Sequence, residues 1–178
     1  MPSATPLPHD PIAEAKRQWL QHGWDHAANG MAAVTSIMRA QQLMLARVES
    51  VLKPFGLSFA RFEMLTLLSF TREGAMPMAS ATARLQVHPT SVTNIVGRLE
   101  QAGLVERAAH PTDGRATLLR LTDAGRDLAA RASTALNAAV FSDPGLDDRD
   151  VTELVSILAR MRRQAGDFAD PPTPPDPL

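Results

Sequence analysis

One stretch of the chain, from residue 78 to residue 121, constrains the fold most, because its apolar residues recur first with a helical period and then with that of a strand. A short helix is predicted over residues 78–85, and a turn is predicted over residues 86–88. A second helix is predicted to begin at Pro89, which suits the first position of a helix, and to reach residue 102. Four apolar residues of this second helix share one face: Val92, Ile95, Val96 and Leu99. The stretch therefore predicts two helices joined by a tight turn.

The remainder of the stretch predicts a β-hairpin. Gly103 is placed to end the second helix, and residues 104–108 and 116–121 have the composition of strands. Between them, Asp113 and the glycine after it supply turn chemistry, and Arg115 leaves the tip. A helix-turn-helix followed by such a hairpin, or wing, is typical of proteins that bind DNA.

The polar side of the second predicted helix carries small or amide side chains, whereas a helix that only had to stay soluble would usually be charged there. Small groups let the backbone approach base edges, and Asn94 can bind adenine with two hydrogen bonds. An arginine at a wing tip is suited to the negative potential of a minor groove, although the turn alone is also of ordinary soluble composition. We predict that the following residues contact DNA: Pro89, Thr90, Ser91, Thr93, Asn94, Arg98, Asp113 and Arg115.

The segments on either side of this lobe are predicted to be mainly helical. Asp10 and Pro11 favour a first helix, which would break at Gly23 or at the pair Asn29 and Gly30. Residues 31–55 form the longest helical pattern, and its apolar stripe is wide enough for contact with a second chain.

Further helices are predicted over residues 58–70, with Ser58 as cap and Phe70 buried, and from Asp123 to Phe141, with Thr122 as cap. The last helix follows Asp147 and carries an apolar stripe that is predicted to be buried: Val151, Leu154, Val155, Leu158 and Met161. The predicted organisation is a flexible N-terminus (1–10), N-terminal helices (11–56), a winged helix-turn-helix lobe (57–122), C-terminal helices (123–168) and a disordered proline-rich tail (169–178).

Composition excludes several other classes of protein. The chain has no cysteine, which excludes disulfides, thiolate metal sites and cysteine nucleophiles, and its net charge of −1 means that DNA must be held by locally placed basic groups. His22 and His26 could face one metal ion, but they lack a third ligand, so no metal or cofactor is expected. No phosphate loop or nucleophile elbow points to an enzyme. With no membrane span and no secretory signal, the sequence predicts a cytoplasmic protein.

The motifs of the central stretch closely resemble those of the MarR family of bacterial transcriptional regulators: HPTSVTN, RLEQAGLVER, the wing DGR and LTDAGR. The resemblance covers roughly residues 31–165. It implies a mainly α (α+β) fold, in which a winged helix-turn-helix lobe with a two-stranded wing joins N- and C-terminal dimerisation helices. It also implies a homodimer on a palindromic DNA operator, released by a small ligand that binds between the dimerisation helices and the lobe.

By this resemblance, Thr90, Ser91 and Asn94 would read the major groove, and Arg115, steered by Asp113, would enter the minor groove. The chain departs from many relatives at Gly114, where they have a second basic residue. A weaker hold by the wing and a shallower salt dependence are therefore expected.

The helix that contains Trp19 also resembles the urate-responsive branch of the family, in which a Trp, an Asp and an Arg form the ligand site. Here Trp19 matches, Glu63 replaces the Asp, and Arg98 is the available arginine. The implied effector is a small molecule of unknown identity, aromatic or anionic. The ordinary alternatives are that Trp19 packs in an interface and that Glu63 faces solvent.

Two other interpretations stay open at this point. The chain could be a ligand-binding regulatory protein that acts through protein contacts without specific DNA binding, as its net charge of −1 allows. It could also be an enzyme that uses His22, His26 or Glu63, although no motif supports that interpretation.

Overall fold

The computed structural model describes residues 6–85, 89–109 and 116–169, except for the side chain of Pro89. The chain divides into two compact units, residues 1–47 and residues 48–178. Its helices and strands follow in chain order: α1 (Pro11–Gln21), α2 (Asp25–Leu52), a 3-10 turn (Lys53–Phe55), α3 (Phe59–Ser69), β1 (Ala75–Pro77), α4 (Met78–Leu85), α5 (Pro89–Gln101), β2 (Val105–Ala109), β3 (Thr117–Leu121), α6 (Asp123–Leu136), a π-helical turn (Asn137–Phe141) and α7 (Asp148–Gln164).

The first unit contains α1 and most of α2. Asp10 caps α1 by accepting a hydrogen bond of 2.9 Å from the backbone N–H of Ile12, as predicted. The helix ends before Gly23, whose φ of 75° few other residues adopt. The alternative break at Asn29 and Gly30 is wrong, because both residues lie within α2. A helical glycine costs only about 1 kcal/mol, which a long helix can absorb.

Both α2 and α7 present apolar side chains to the surface of the single chain. Val34 and Met38 of α2 are 57% and 59% exposed, and Val155 of α7 is 61% exposed. Leu154 and Met161 of α7 are also exposed. The prediction that the α7 stripe is buried is therefore wrong for one chain, because the apolar face forms but the chain itself does not cover it.

The core of the second unit lies between α3, α5, α6 and the sheet. Its fully buried side chains come from every one of these elements: Leu65, Leu68, Val92, Val96, Leu99, Leu119 and Leu136. Phe70, which the sequence predicted to be buried, is 66% exposed because it follows the last turn of α3 as its C-cap residue. Ser58 precedes α3 as predicted but makes no cap bond, and its Oγ accepts a hydrogen bond from Arg61 Nε instead.

The sheet is antiparallel, with β3 between β1 and β2. The hairpin strands β2 and β3 confirm the sequence prediction of a wing. The third strand, β1, was not predicted: it has only three residues and ends in Pro77, so it carries no readable period. It pairs Met76 with Leu119 and thereby ties the start of α4 to the wing.

Two close contacts fix α5 and α6 on the hairpin. Gly103, with a φ of 69°, ends α5, and the next N–H donates back to the carbonyl of Leu99 at 2.9 Å. Thr122 caps α6 as predicted, accepting from the N–H of Gly125 at 3.0 Å and donating to the carbonyl of Gly103 at 2.8 Å. A Cβ on Gly125 would overlap the carbonyl oxygen of Leu104, so only glycine allows this approach.

None of the helices in the described part of the chain is both long and apolar enough to cross a membrane.

Candidate nucleic-acid interface

Helix α5 has one buried side and one open side. Val92 and Val96 are fully buried and Leu99 is 1% exposed, which anchors the helix on the core. On the other side, four residues predicted to contact DNA are exposed: Thr90, Ser91, Thr93 and Asn94. Pro89 begins the helix as predicted. The small polar surface that the sequence predicted is therefore accessible, with the backbone of α5 close beneath it.

Arg98 restrains Asn94 on this surface. Its Nε donates to Asn94 Oδ1 at 3.3 Å, across one turn of the helix, and both side chains are exposed. The amide oxygen has a second lone pair, so Asn94 can keep this bond while it accepts another and donates from its NH₂ group. An amide held in this way is suited to pair with an adenine edge.

Acidic residues lie beside the basic ones where the wing meets α5. Arg107 Nε lies 3.4 Å from Glu100, and Arg120 Nε lies 3.7 Å from Glu106. These arginines therefore add little net positive charge to the surface. This pairing agrees with the net charge of −1 and leaves the predicted hold on phosphates to other basic groups.

The turn (86–88) and the wing tip (110–115) lie outside the described residues, as do residues 1–5 and most of the proline-rich tail (170–178). The roles assigned to Asp113 and Arg115 therefore stay predictions.

Trp19, the first predicted ligand residue, belongs to the first unit of the chain. Its ring meets that of Trp24 edge to face, with 5.3 Å between the ring centroids, and His22 lies 5.2 Å from Trp24. His22 Nδ1 is hydrogen-bonded to the carbonyl of Gln18 at 2.8 Å, so the ring helps to close α1. In the part of the chain that the structure describes, no three His, Cys, Asp or Glu side chains form a group that could hold a metal ion.

Glu63, the second predicted ligand residue, lines an open cavity of about 300 Å³ in the second unit, which we call the Glu63 cavity. Glu63 is half-buried, so the carboxylate that was predicted to face solvent is only partly exposed, and burial raises the pKa of its carboxyl. The charged residue that shares this cavity is Arg84, whereas Arg98, the third predicted ligand residue, lies on the open side of α5. The rest of the wall combines a hydroxyl with apolar side chains: Phe59, Phe62, Thr66, Leu67, Phe70, Leu85 and Phe141.

Sequence reasoning missed Arg84 and Phe141 as cavity residues. Arg84 is the only arginine of α4, and on a short helix a basic residue near the C-terminus is ordinary. Phe141 lies far along the chain from Glu63, in a π-helical turn that continues α6. Only the packing of α6 against α3 brings the two together.

The sequence of this chain is similar to those of known proteins. A family model described as the MarR family matches residues 55–116. An uncharacterised HTH-type transcriptional regulator of Mycobacterium bovis is 32% identical over 100 residues, which are 56% of this chain and 66% of that protein. The alignment thus spans just under two thirds of that relative.

Solved structures are similar to this chain over a larger share of its length. Sco5413, a MarR family transcriptional regulator from Streptomyces coelicolor, is 46% identical with a TM-score of 0.71, over 80% of this chain and 99% of its own. The transcriptional repressor CouR on a 23-mer DNA duplex is 27% identical with a TM-score of 0.64, over 71% of this chain and 89% of its own. CouR from Rhodococcus jostii RHA1 has also been solved with p-coumaroyl-CoA bound.

Proposed function

We propose that this chain, which belongs to the MarR family of transcriptional regulators, acts as a homodimeric repressor that a small ligand releases from a palindromic DNA operator. The observation that carries the proposal is the open side of α5, where Thr90, Ser91 and Asn94 are exposed opposite a largely buried apolar face. That arrangement is what a helix needs to enter a major groove.

Contacts to bases and to phosphates have separate roles in this proposal. Asn94, restrained by Arg98, reads a base edge in the major groove together with Thr90 and Ser91, while phosphates are contacted where the helix dipole at the N-terminus of α5 favours negative charge. Arg115 of the wing reaches the minor groove beside it. The structure of the repressor CouR bound to a DNA duplex supports DNA binding by this fold.

The proposed dimer uses the uncovered apolar faces of α2 and α7. Val34, Met38 and Val155 are each more than half exposed in the single chain. Monomeric proteins rarely leave large apolar patches open to water, so each face is suited to contact with a second copy. Half-sites one helical turn apart, about 34 Å, would fit the two α5 helices of such a dimer.

A fluorescence anisotropy titration tests the proposal on DNA that flanks the gene. We expect Asn94→Ala to weaken operator binding by about 1–3 kcal/mol and to relax the preference for one base. Arg115→Ala should weaken binding to all sequences and reduce the salt slope. If neither variant differed from the parent protein, the assignment of these contacts would be wrong. If the parent did not bind this DNA even at low salt, a regulator that works through protein contacts would fit better.

A further inference from the structure

The Glu63 cavity places two polar groups of α3 one helical turn apart in an otherwise apolar wall. Glu63 and Thr66 both line it, and of the residues that the structure describes, none forms an ion pair with Glu63. Arg84 shares the cavity, but it is exposed to solvent and its Nη1 lies 3.5 Å from the carbonyl of Ser80 in its own helix. The cavity therefore holds a half-buried carboxyl group without a compensating positive charge.

The hydroxyl of Thr66 is unusual among the threonines within helices. Oγ1 is shielded from solvent and has no hydrogen-bond partner in the described part of the chain. Four other threonines within helices donate to a carbonyl one turn earlier, at 2.8–3.0 Å: Thr35, Thr82, Thr134 and Thr152. A buried hydroxyl without a partner destabilises the protein, and such an exception is explained when a bound molecule supplies the missing hydrogen bond.

Aromatic rings complete the cavity wall. Phe59 and Phe62 stack with 6.3 Å between their ring centroids, and Phe70 and Phe141 are 66% and 50% exposed. Phe141 belongs to the π-helical turn, and single π-helical turns occur frequently at functional sites. The negative faces of such rings attract cations. The aromatic rings and the Glu63 carboxylate therefore both favour a positively charged ligand.

We propose that the Glu63 cavity binds a small aromatic amine in its cationic form, with the ammonium group donating to the Glu63 carboxylate and to Thr66 Oγ1 and the ring packed among the phenylalanines. An anion, the other class that the sequence allowed, would meet the carboxylate within the cavity and could pair only with the exposed Arg84, where solvent weakens the attraction. The inference rests on the proposed function, because the amine would be the effector that releases the operator.

Isothermal titration calorimetry of the full-length protein without DNA tests the charge preference directly. The probes are 2-phenylethylammonium and 3-phenylpropionate, which carry opposite charges on the same ring at similar distances. We expect the ammonium ion to bind at least tenfold more tightly. Glu63→Gln should weaken its binding about tenfold or more, and Thr66→Val, which keeps the shape but removes the hydroxyl, by a smaller factor. Arg84→Gln, which removes a like charge from the cavity wall, should not weaken it. Glu73→Gln, the same substitution at an exposed residue outside the cavity, is the matched control and should leave it unchanged.

Three outcomes would overturn the inference. The two probes could bind equally or not at all, the ammonium ion could bind Glu63→Gln as well as the parent, or the carboxylate could bind more tightly and lose its affinity in Arg84→Gln. Thermal denaturation of each variant establishes that it is folded, and Thr66→Val supplies a second test if Glu63→Gln is not.

Anisotropy of operator DNA with and without the amine separates this inference from the proposed function. A protein that binds the amine through Glu63 but does not bind DNA would refute the repressor and support the cavity. A protein that binds the operator but shows no preference for the amine would refute the assignment of the cavity alone.

Discussion

Replacement of Gly125 by alanine should destabilise the protein, although alanine is the better helix former. Gly125 lies in the first turn of α6, where its backbone approaches the end of α5 and the start of the hairpin. A Cβ there would overlap the carbonyl oxygen of Leu104 and lie 2.8 Å from Leu121 Cδ1. That carbonyl also accepts the N–H of Thr122 at 3.1 Å, so it cannot move away without weakening the bond.

The expected magnitude follows from two opposing terms. Alanine gains about 1 kcal/mol over glycine in a helix. Overpacking of a rigid contact costs about 1–3 kcal/mol and more where the obstacle is backbone, so the cost exceeds the gain at Gly125. We expect a net loss of about 1–2 kcal/mol, which lowers the melting temperature of a chain of this length by about 2–8 °C.

Gly97→Ala is the matched control, because Gly97 is also helical but nothing lies within 4 Å of the Cβ it would gain. The two substitutions change the entropy of the unfolded chain equally. Thermal and urea denaturation at one fixed protein concentration, followed by circular dichroism, should show Gly97→Ala as stable as the parent or up to about 1 kcal/mol more stable. The reasoning would be refuted if Gly125→Ala were no less stable than the parent.

Two further predictions concern charge and assembly. Because burial raises the pKa of Glu63, the folded protein holds this proton more tightly than the unfolded chain, and the ionised carboxylate destabilises the fold above that pKa. Glu63→Gln should therefore raise the melting temperature at neutral pH. The difference in melting temperature between variant and parent should vanish at about pH 4, the ordinary pKa range of a Glu. A difference that did not change with pH would contradict this prediction. Val155→Lys should convert a dimer to monomers in sedimentation velocity, since Val155 is 61% exposed in one chain. Glu153→Lys, about 200° around α7, should leave the dimer intact, and a dimer that survived Val155→Lys would exclude this face from the interface.

The lobe could be predicted from the sequence because each boundary carries a local signal. Pro89 and Gly103 mark the two ends of α5, and Thr122 marks the start of α6, so three residues place two helices. Turn residues between two runs of strand-like composition predict the hairpin. Strand β1 has no such signal, because three residues ending in Pro77 form a strand only when β3 is already beside them.

The surfaces could be predicted less well, because an apolar pattern shows which face of a helix avoids water but not which element or partner covers that face. The apolar stripe of α7 was predicted to be buried, yet Val155 is exposed in the single chain. The Glu63 cavity depends on Phe141, whose position follows from the packing of α6 and its π-helical turn. No spacing in the sequence connects these two residues.

The affinity of Gly97→Gln for operator DNA tests the central claim most directly, namely that the open side of α5 lies against the bases. Gly97 faces empty space in the protein, so the larger side chain is compatible with the fold but would stand between α5 and the groove. We predict an unchanged or higher melting temperature together with an affinity at least about tenfold weaker, a loss of about 1.4 kcal/mol. A variant that bound the operator as tightly as the parent would contradict the account.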